Sequence, residues 1–226
     1  MKTRVLTVFA VLVMSLPAHA QLDKISNQDA TSGLREALVK GASVAVDFLG
    51  KQDGFFGNQK VKIPLPESLA KVERMMRGVG LGKHADELVL TMNRAAEATM
   101  PEAKKLLVDS VRKMSLQDAK GILTGGEDSA TQYFKRTTSD QLRTAFLPIV
   151  KKATAKVKLA EKYNEYAEKG VKFGLVGKQD ANLDNYVTQK ALDGLFVMVA
   201  EEEKKIRQNP AQAASNIISK VFGALK

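Results

Sequence analysis

Apolar residues recur every three or four positions along most of this 226-residue chain, and a two-residue alternation is confined to a few residues near Ile63. The first spacing places side chains on one face of a helix, whereas a half-buried strand needs the second. Leu34, Ala37, Leu38, Gly41, Ala42, Ala45, Phe48 and Leu49 predict a helix over 26–50 whose small residues admit a close neighbour. Residues 67–78 predict a second helix, with Leu69, Val72, Met75 and Met76 inside, and 85–98 a third, with Leu88, Val89, Met92 and Ala96. Thr99 and Glu102 have capping-box spacing around Pro101, which predicts a fresh start and a stripe of Leu106, Leu107, Ser110, Val111 and Met114. Between the first two helices, Phe55 and Phe56 sit in a glycine-flanked loop and either pack back or serve as a contact point. Two prolines, Pro64 and Pro66, hold 61–66 extended.

The densest punctuation lies at 114–145. Ser115 and Asp118 read as a helix cap and its acidic partner. Gly125 and Gly126 end that short helix, with a left-handed glycine expected. Glu127, Asp128 and Ser129 then give an acidic entry to a helix buried along Ala130, Tyr133, Phe134 and Thr137. Thr138 and Gln141 again have box spacing and predict a break. Leu142, Ala145, Phe146, Ile149, Val150 and Ala153 follow, with a kink or new start at Pro148. Tyr163, Tyr166 and Phe173 precede a turn at 174–177. Asp184 is expected to cap a long helix buried along Val187, Ala191, Leu192, Leu195, Val199 and Ile206. On it, Glu201 with Lys205 and Glu203 with Arg207 read as surface pairs. Asn209-Pro210 ends this helix, and a terminal one carries Ile217, Ile218, Val221 and Phe222. The fold class expected is all-α: one irregular multi-helix bundle of about eight to ten helices, a single domain over 21–226.

Residues 1–20 stand apart. Lys2 and Arg4 are followed by an apolar run from Val5 to Leu16, then by Pro17 and Ala18-His19-Ala20, the pattern of a signal peptide cleaved between Ala20 and Gln21. The run is shorter than the ~20 residues of a spanning helix, and no later one is longer. The expected location is therefore periplasmic or secreted, with no transmembrane segment in the mature chain. The absence of cysteine excludes disulfides, thiol catalysis, thiolate metal sites and an N-terminal lipidated cysteine. Residues 1–20 hold two of the 35 Lys and Arg residues and none of the 25 acids, which leaves the rest at a net +8. After export that charge points away from nucleic acid and toward a lipid or another anionic envelope component.

Candidate chemistry is sparse. One histidine, His84, remains after cleavage, too few for a histidine metal site, and no G-x-S-x-G supports a triad on it. Asp180, Asn182 and Asp184 have the spacing of the first EF-hand ligands, but position 6 is Asn185 and position 12 is Ala191. The Gly125-Gly126 turn lacks the ending of a phosphate loop. No cofactor is implied. The best candidate for a polar cleft is 125–143, where Glu127, Asp128, Gln132, Tyr133, Arg136, Asp140 and Arg143 are left to project once the apolar stripe is buried. Two functions are compatible with it. One is a non-enzymatic binding or interaction protein, for which methionines 75, 76, 92, 100 and 114, with many small residues, suit an adaptable apolar cavity. The other is a glycan- or peptidoglycan-acting hydrolase using Glu127 and Asp140 as its carboxylate pair.

Several runs stand out together: Ile63-Pro64-Leu65-Pro66, Gly121-Ile122-Leu123-Thr124-Gly125-Gly126 leading to Tyr133-Phe134, and Leu183-Asp184-Asn185-Tyr186-Val187-Thr188 leading to Ala191-Leu192-Asp193-Gly194-Leu195-Phe196. With the tail at 201–210, they resemble a proteobacterial family of exported proteins, domain of unknown function 4197. The resemblance covers nearly the whole mature chain. It implies an all-helical exported protein and brings no activity.

Overall fold

A computed structural model describes residues 27–164, 182–210 and 221. The signal segment 1–20, the side chain of Val72, Tyr166, Phe173, the turn at 174–177, Asp180, Ile217, Ile218 and Phe222 lie outside what is described. All regular structure among the described residues is helical. Helix α1 spans Asn27–Leu49; a 3-10 turn at Glu67–Leu69 leads into α2, Ala70–Gly78; α3 spans Gly82–Lys113. Then come α4, Leu116–Thr124; α5, Ser129–Thr154; and α6, Leu183–Gln208. Seven elements lie complete within the described residues, fewer than the eight to ten the pattern predicts, and 158–164 is helical besides.

Two merged helices account for most of the difference. At Thr99 the hydroxyl donates to the Ala96 carbonyl (2.6 Å) and the residue is fully buried, so α3 runs through Pro101 without a break. At Thr138 the hydroxyl donates to the Phe134 carbonyl (2.6 Å), and α5 runs unbroken through the predicted stop and through Pro148. A threonine that returns its hydroxyl to the preceding turn has the same sequence spacing as one that caps a helix. Both prolines are exposed, where the carbonyl each leaves unbonded can meet water.

The four long helices close a ring of neighbours: α1 packs on α3, α3 on α5, α5 on α6 and α6 on α1, with α3 and α6 also touching. The core is where these faces meet. Leu34 and Leu49 from α1, Leu88, Met92, Met100 and Leu107 from α3, and Phe134, Leu142 and Phe146 from α5 are fully buried there. Phe48 departs from its predicted stripe and is nearly half exposed. Phe55 settles the loop question by packing into the core against Gly194, where an added Cβ would lie 2.6 Å from its ring; Phe56 is half-buried beneath Lys62.

The extended 61–66 segment is held by one side chain. Asn93, fully buried on α3, accepts from the Ile63 amide (2.8 Å) and donates to the Ile63 carbonyl (2.9 Å), doing for this backbone what a neighbouring strand would do. Tyr186 of α6 donates to the Pro64 carbonyl (3.0 Å). Short α4 bridges the end of α3 to the start of α5. Its predicted capping box is present: the Ser115 hydroxyl accepts from the Asp118 amide, and the Asp118 carboxylate accepts from the Ser115 amide. Gly125, however, is extended rather than left-handed; glycine suits it because a Cβ would strike the Ser129 hydroxyl at 2.3 Å.

Candidate functional site

The predicted polar residues separate along α5. Asp128, Gln132, Tyr133 and Arg136 line a groove of about 440 Å3 between α4 and α5, facing Gln117, Asp118 and Ile122. Arg136 donates across it to Asp118 (2.7 Å) and lies over the Tyr133 ring. Gln132 donates to Asp128 (2.8 Å), and the buried Tyr133 hydroxyl donates to the Ser110 carbonyl (2.8 Å). Hydrogen bonds from Ser115 first, and then the Arg136 charge, hold the Asp118 carboxyl below its ordinary value. Glu127, Asp140 and Arg143 are exposed and do not line this groove. Because α5 is continuous, the eleven residue-to-residue steps from Ser129 to Asp140 span about 16 Å of helix axis. Paired carboxylates that cleave a glycosidic bond stand roughly 5–9.5 Å apart. His84 is exposed at the start of α3, 4.0 Å from Glu87.

Among the described residues, three carboxylates outside the predicted set are buried: Glu97, Asp184 and Glu203. Each is occupied. Glu203, read from the sequence as a surface partner of Arg207, reaches from α6 to the first turn of α5. It accepts from the Ala130 amide (3.0 Å), the Thr131 amide (2.9 Å) and the Thr131 hydroxyl (2.8 Å). Those amides are among the donors that a helix N-terminus leaves without intrahelical partners, and Asp128 at the N-cap position makes no side-chain cap. Arg207 completes the cluster, donating to Glu203 (2.8 Å) and to the Ile122 carbonyl (3.0 Å). The companion expectation also changes: Glu201 pairs with Lys60 and Lys205 with Glu202.

Glu97 does similar work for the loop after α1. It accepts from the Phe55 amide (3.1 Å), the Phe56 amide (3.3 Å) and Arg94 (2.7 Å), while Arg94 also grips Asp53 (2.8 Å), a residue with φ 66°. Asp184 accepts from the Thr154 hydroxyl (2.5 Å), and Asn182 rather than Asp184 caps α6. Among the described residues no cluster of three or more His, Cys, Asp or Glu side chains is placed to hold a metal.

The feature that does not look inward is α2. Its sequence is amphipathic, with Met75, Met76 and Val79 along one arc and Glu73, Arg74 and Arg77 along the other. The apolar stripe predicts Met75 inside, yet Met75 is 69% exposed and Val79 72%, with Leu81 at 49% in the following turn. On the polar side Arg77 donates to Glu73 within the same helix (2.8 Å) and to Asp86 on α3 (2.6 Å). The bond from Arg77 holds the Asp86 carboxyl below its ordinary value. Gly80, with φ 79°, turns the chain back at the tip. The amphipathic arc is visible in the sequence; the direction in which it faces is not.

No helix among the described residues is long and apolar enough to cross a membrane. No curated protein and no solved structure matches the chain. The profile of one family, described as protein of unknown function (DUF4197), matches residues 24–223, and the chain belongs to that family.

Proposed function

We propose that this is an exported, non-enzymatic interaction protein of the cell envelope, one helical domain over 21–226, that engages an apolar and anionic partner through the hairpin formed by α2 and the start of α3. The observation that carries this reading is the orientation of α2. An amphipathic helix on a globular protein ordinarily turns its apolar arc to the core. Here Met75 and Val79 face solvent, and Leu81 extends the apolar surface around the turn. Three exposed apolar side chains together on a projecting tip are a contact surface in need of a partner.

The carboxylates support the same reading. Glu97, Asp184 and Glu203 hold backbone and neighbouring side chains in place, which is structural work. The α4–α5 groove is spanned by its own Asp118–Arg136 pair. The test is photocrosslinking in cells from Val79 and, as a control, from Lys152, which is exposed on α5. Crosslinks from position 79 that are missing from position 152 support the hairpin as the contact surface. Equal labelling from both positions, or none from 79, contradicts it.

A further inference from the structure

We infer that Met75 is a site of oxidative modification, converted by hydroperoxides to the sulfoxide, and that this change weakens docking of the hairpin; the second half rests on the docking role just proposed. Six methionines follow residue 20, and the fold treats them unequally. Met92, Met100, Met114 and Met198 are buried in the core, and Met76 is partly buried. Met75 alone of the six is exposed, on the outward arc of α2. A buried thioether meets an oxidant only when the structure around it opens, whereas an exposed one is reached in the folded state. The chain has no cysteine, so no thiolate of its own competes for the oxidant.

In the oxidation step a lone pair of the Met75 sulfur attacks the outer oxygen of the peroxide. The S–O bond forms as the O–O bond breaks, and the departing oxygen leaves with a proton as water or an alcohol. Sulfur gives up two electrons and the peroxide takes them. The product is a polar sulfoxide where an apolar thioether stood. Its position gives the change its effect. Val79 lies one helical turn on, a spacing of about 5–6 Å between β-carbons, and Leu81 extends the same exposed face. The sulfoxide therefore places a hydrated acceptor within the apolar contact surface, and covering it means stripping that water. The fold has little at stake, because Met75 is outside the buried core.

The experiment has two arms. In the first, the purified mature chain is treated with limiting hydrogen peroxide and digested, and each methionine peptide is weighed. Met75 is expected to gain one oxygen at least about tenfold faster than the other methionines, and the difference to vanish in denaturing urea. Equal uptake in the folded chain, or first uptake elsewhere, overturns the site. In the second, cells exporting the chain with a photoreactive residue at position 79 receive a pulse of hydrogen peroxide. Crosslinking is expected to fall about tenfold, the scale set by burying one methionine side chain. It is expected to persist in Met75→Leu, which stays apolar and offers no sulfur. Crosslinking unchanged in the parent, or equally reduced in Met75→Leu, overturns the effect on docking. A lower unfolding temperature of the purified chain oxidised at Met75 places the effect in the fold and overturns it too. No crosslinks from position 79 even without peroxide overturn the docking role and its regulation together, while the mass measurement still decides the site.

Discussion

Replacing Glu203 by Gln is expected to destabilise the protein severely although the side chain keeps its shape. The Glu203 side chain is 6% exposed and that of Arg207 15%, so the pair is shielded from water. The carboxylate accepts from two backbone amides and one hydroxyl at the start of α5, and from Arg207. An amide at this position retains one acceptor oxygen, turns an N–H2 group toward donors and leaves the guanidinium without its counter-charge. Breaking one side of a buried pair costs about 3–5 kcal/mol, and the loss of helix capping, typically about 1 kcal/mol, is contained within that figure rather than added to it. With a urea slope of about 3 kcal/mol per molar, the upper end of the usual range and fitting for a chain of this size, the unfolding midpoint read by circular dichroism should fall by roughly 1–2 M with the slope unchanged. Glu201→Gln is the control, since its pair with Lys60 is solvent-exposed and should contribute at most about 1 kcal/mol. Removing both charges with Glu203→Gln and Arg207→Met should recover part of the loss. A Glu203→Gln protein within about 1 kcal/mol of the parent, or no different from Glu201→Gln, would refute the assignment of Glu203 as the cap of α5.

Gly194→Ala should cost about 1–3 kcal/mol through overpacking, because the new methyl would lie 2.6 Å from Phe55; a neutral result in urea unfolding would mean that the loop is free to yield. Arg136→Ala should change stability by less than about 1 kcal/mol, since the Arg136 side chain is 67% exposed and that of Asp118 28%. Asp118 contributes stability above its unfolded-state value near 3.8 and loses it as the pH falls through its lower folded-state value. The stability difference between the parent and Asp118→Asn should therefore be full at neutral pH and shrink below about pH 4; a difference that grows on acidification would reverse the assignment. N-terminal sequencing of the exported protein should begin at Gln21, and an intact Met1 on protein outside the cytoplasm would contradict cleavage.

The amino-acid sequence makes legible whatever depends on local spacing. The helical period, the Ser115–Asp118 box and the extended run through Pro64 belong to this class. Features that depend on how distant segments meet are not legible in the same way. Thr99 and Thr138 carry the spacing of caps, yet tertiary packing keeps the chain helical and their hydroxyls turn back on the previous turn. Glu203 and Arg207 have the four-residue spacing of a surface pair; only the arrival of the first turn of α5 above them makes the pair a buried clasp. Met75 belongs to an apolar arc that predicts burial, yet the arc faces solvent, while on the opposite side Arg77 pairs with Asp86 of α3. In the predicted cleft, four of seven residues meet in one groove at the start of α5, while Asp140 and Arg143 lie farther along the same unbroken helix.

The cysteine-free chain allows the hairpin to be probed one position at a time. Val79→Cys, labelled with an environment-sensitive dye, reports directly whether the tip enters an apolar medium, and Lys152→Cys with the same dye supplies the reference. On adding phosphatidylglycerol vesicles, the emission from position 79 should shift to shorter wavelength and gain intensity, and should return when salt is raised, while position 152 stays unchanged. An unchanged spectrum at position 79, or an equal shift at both positions, would contradict docking through the exposed face of α2.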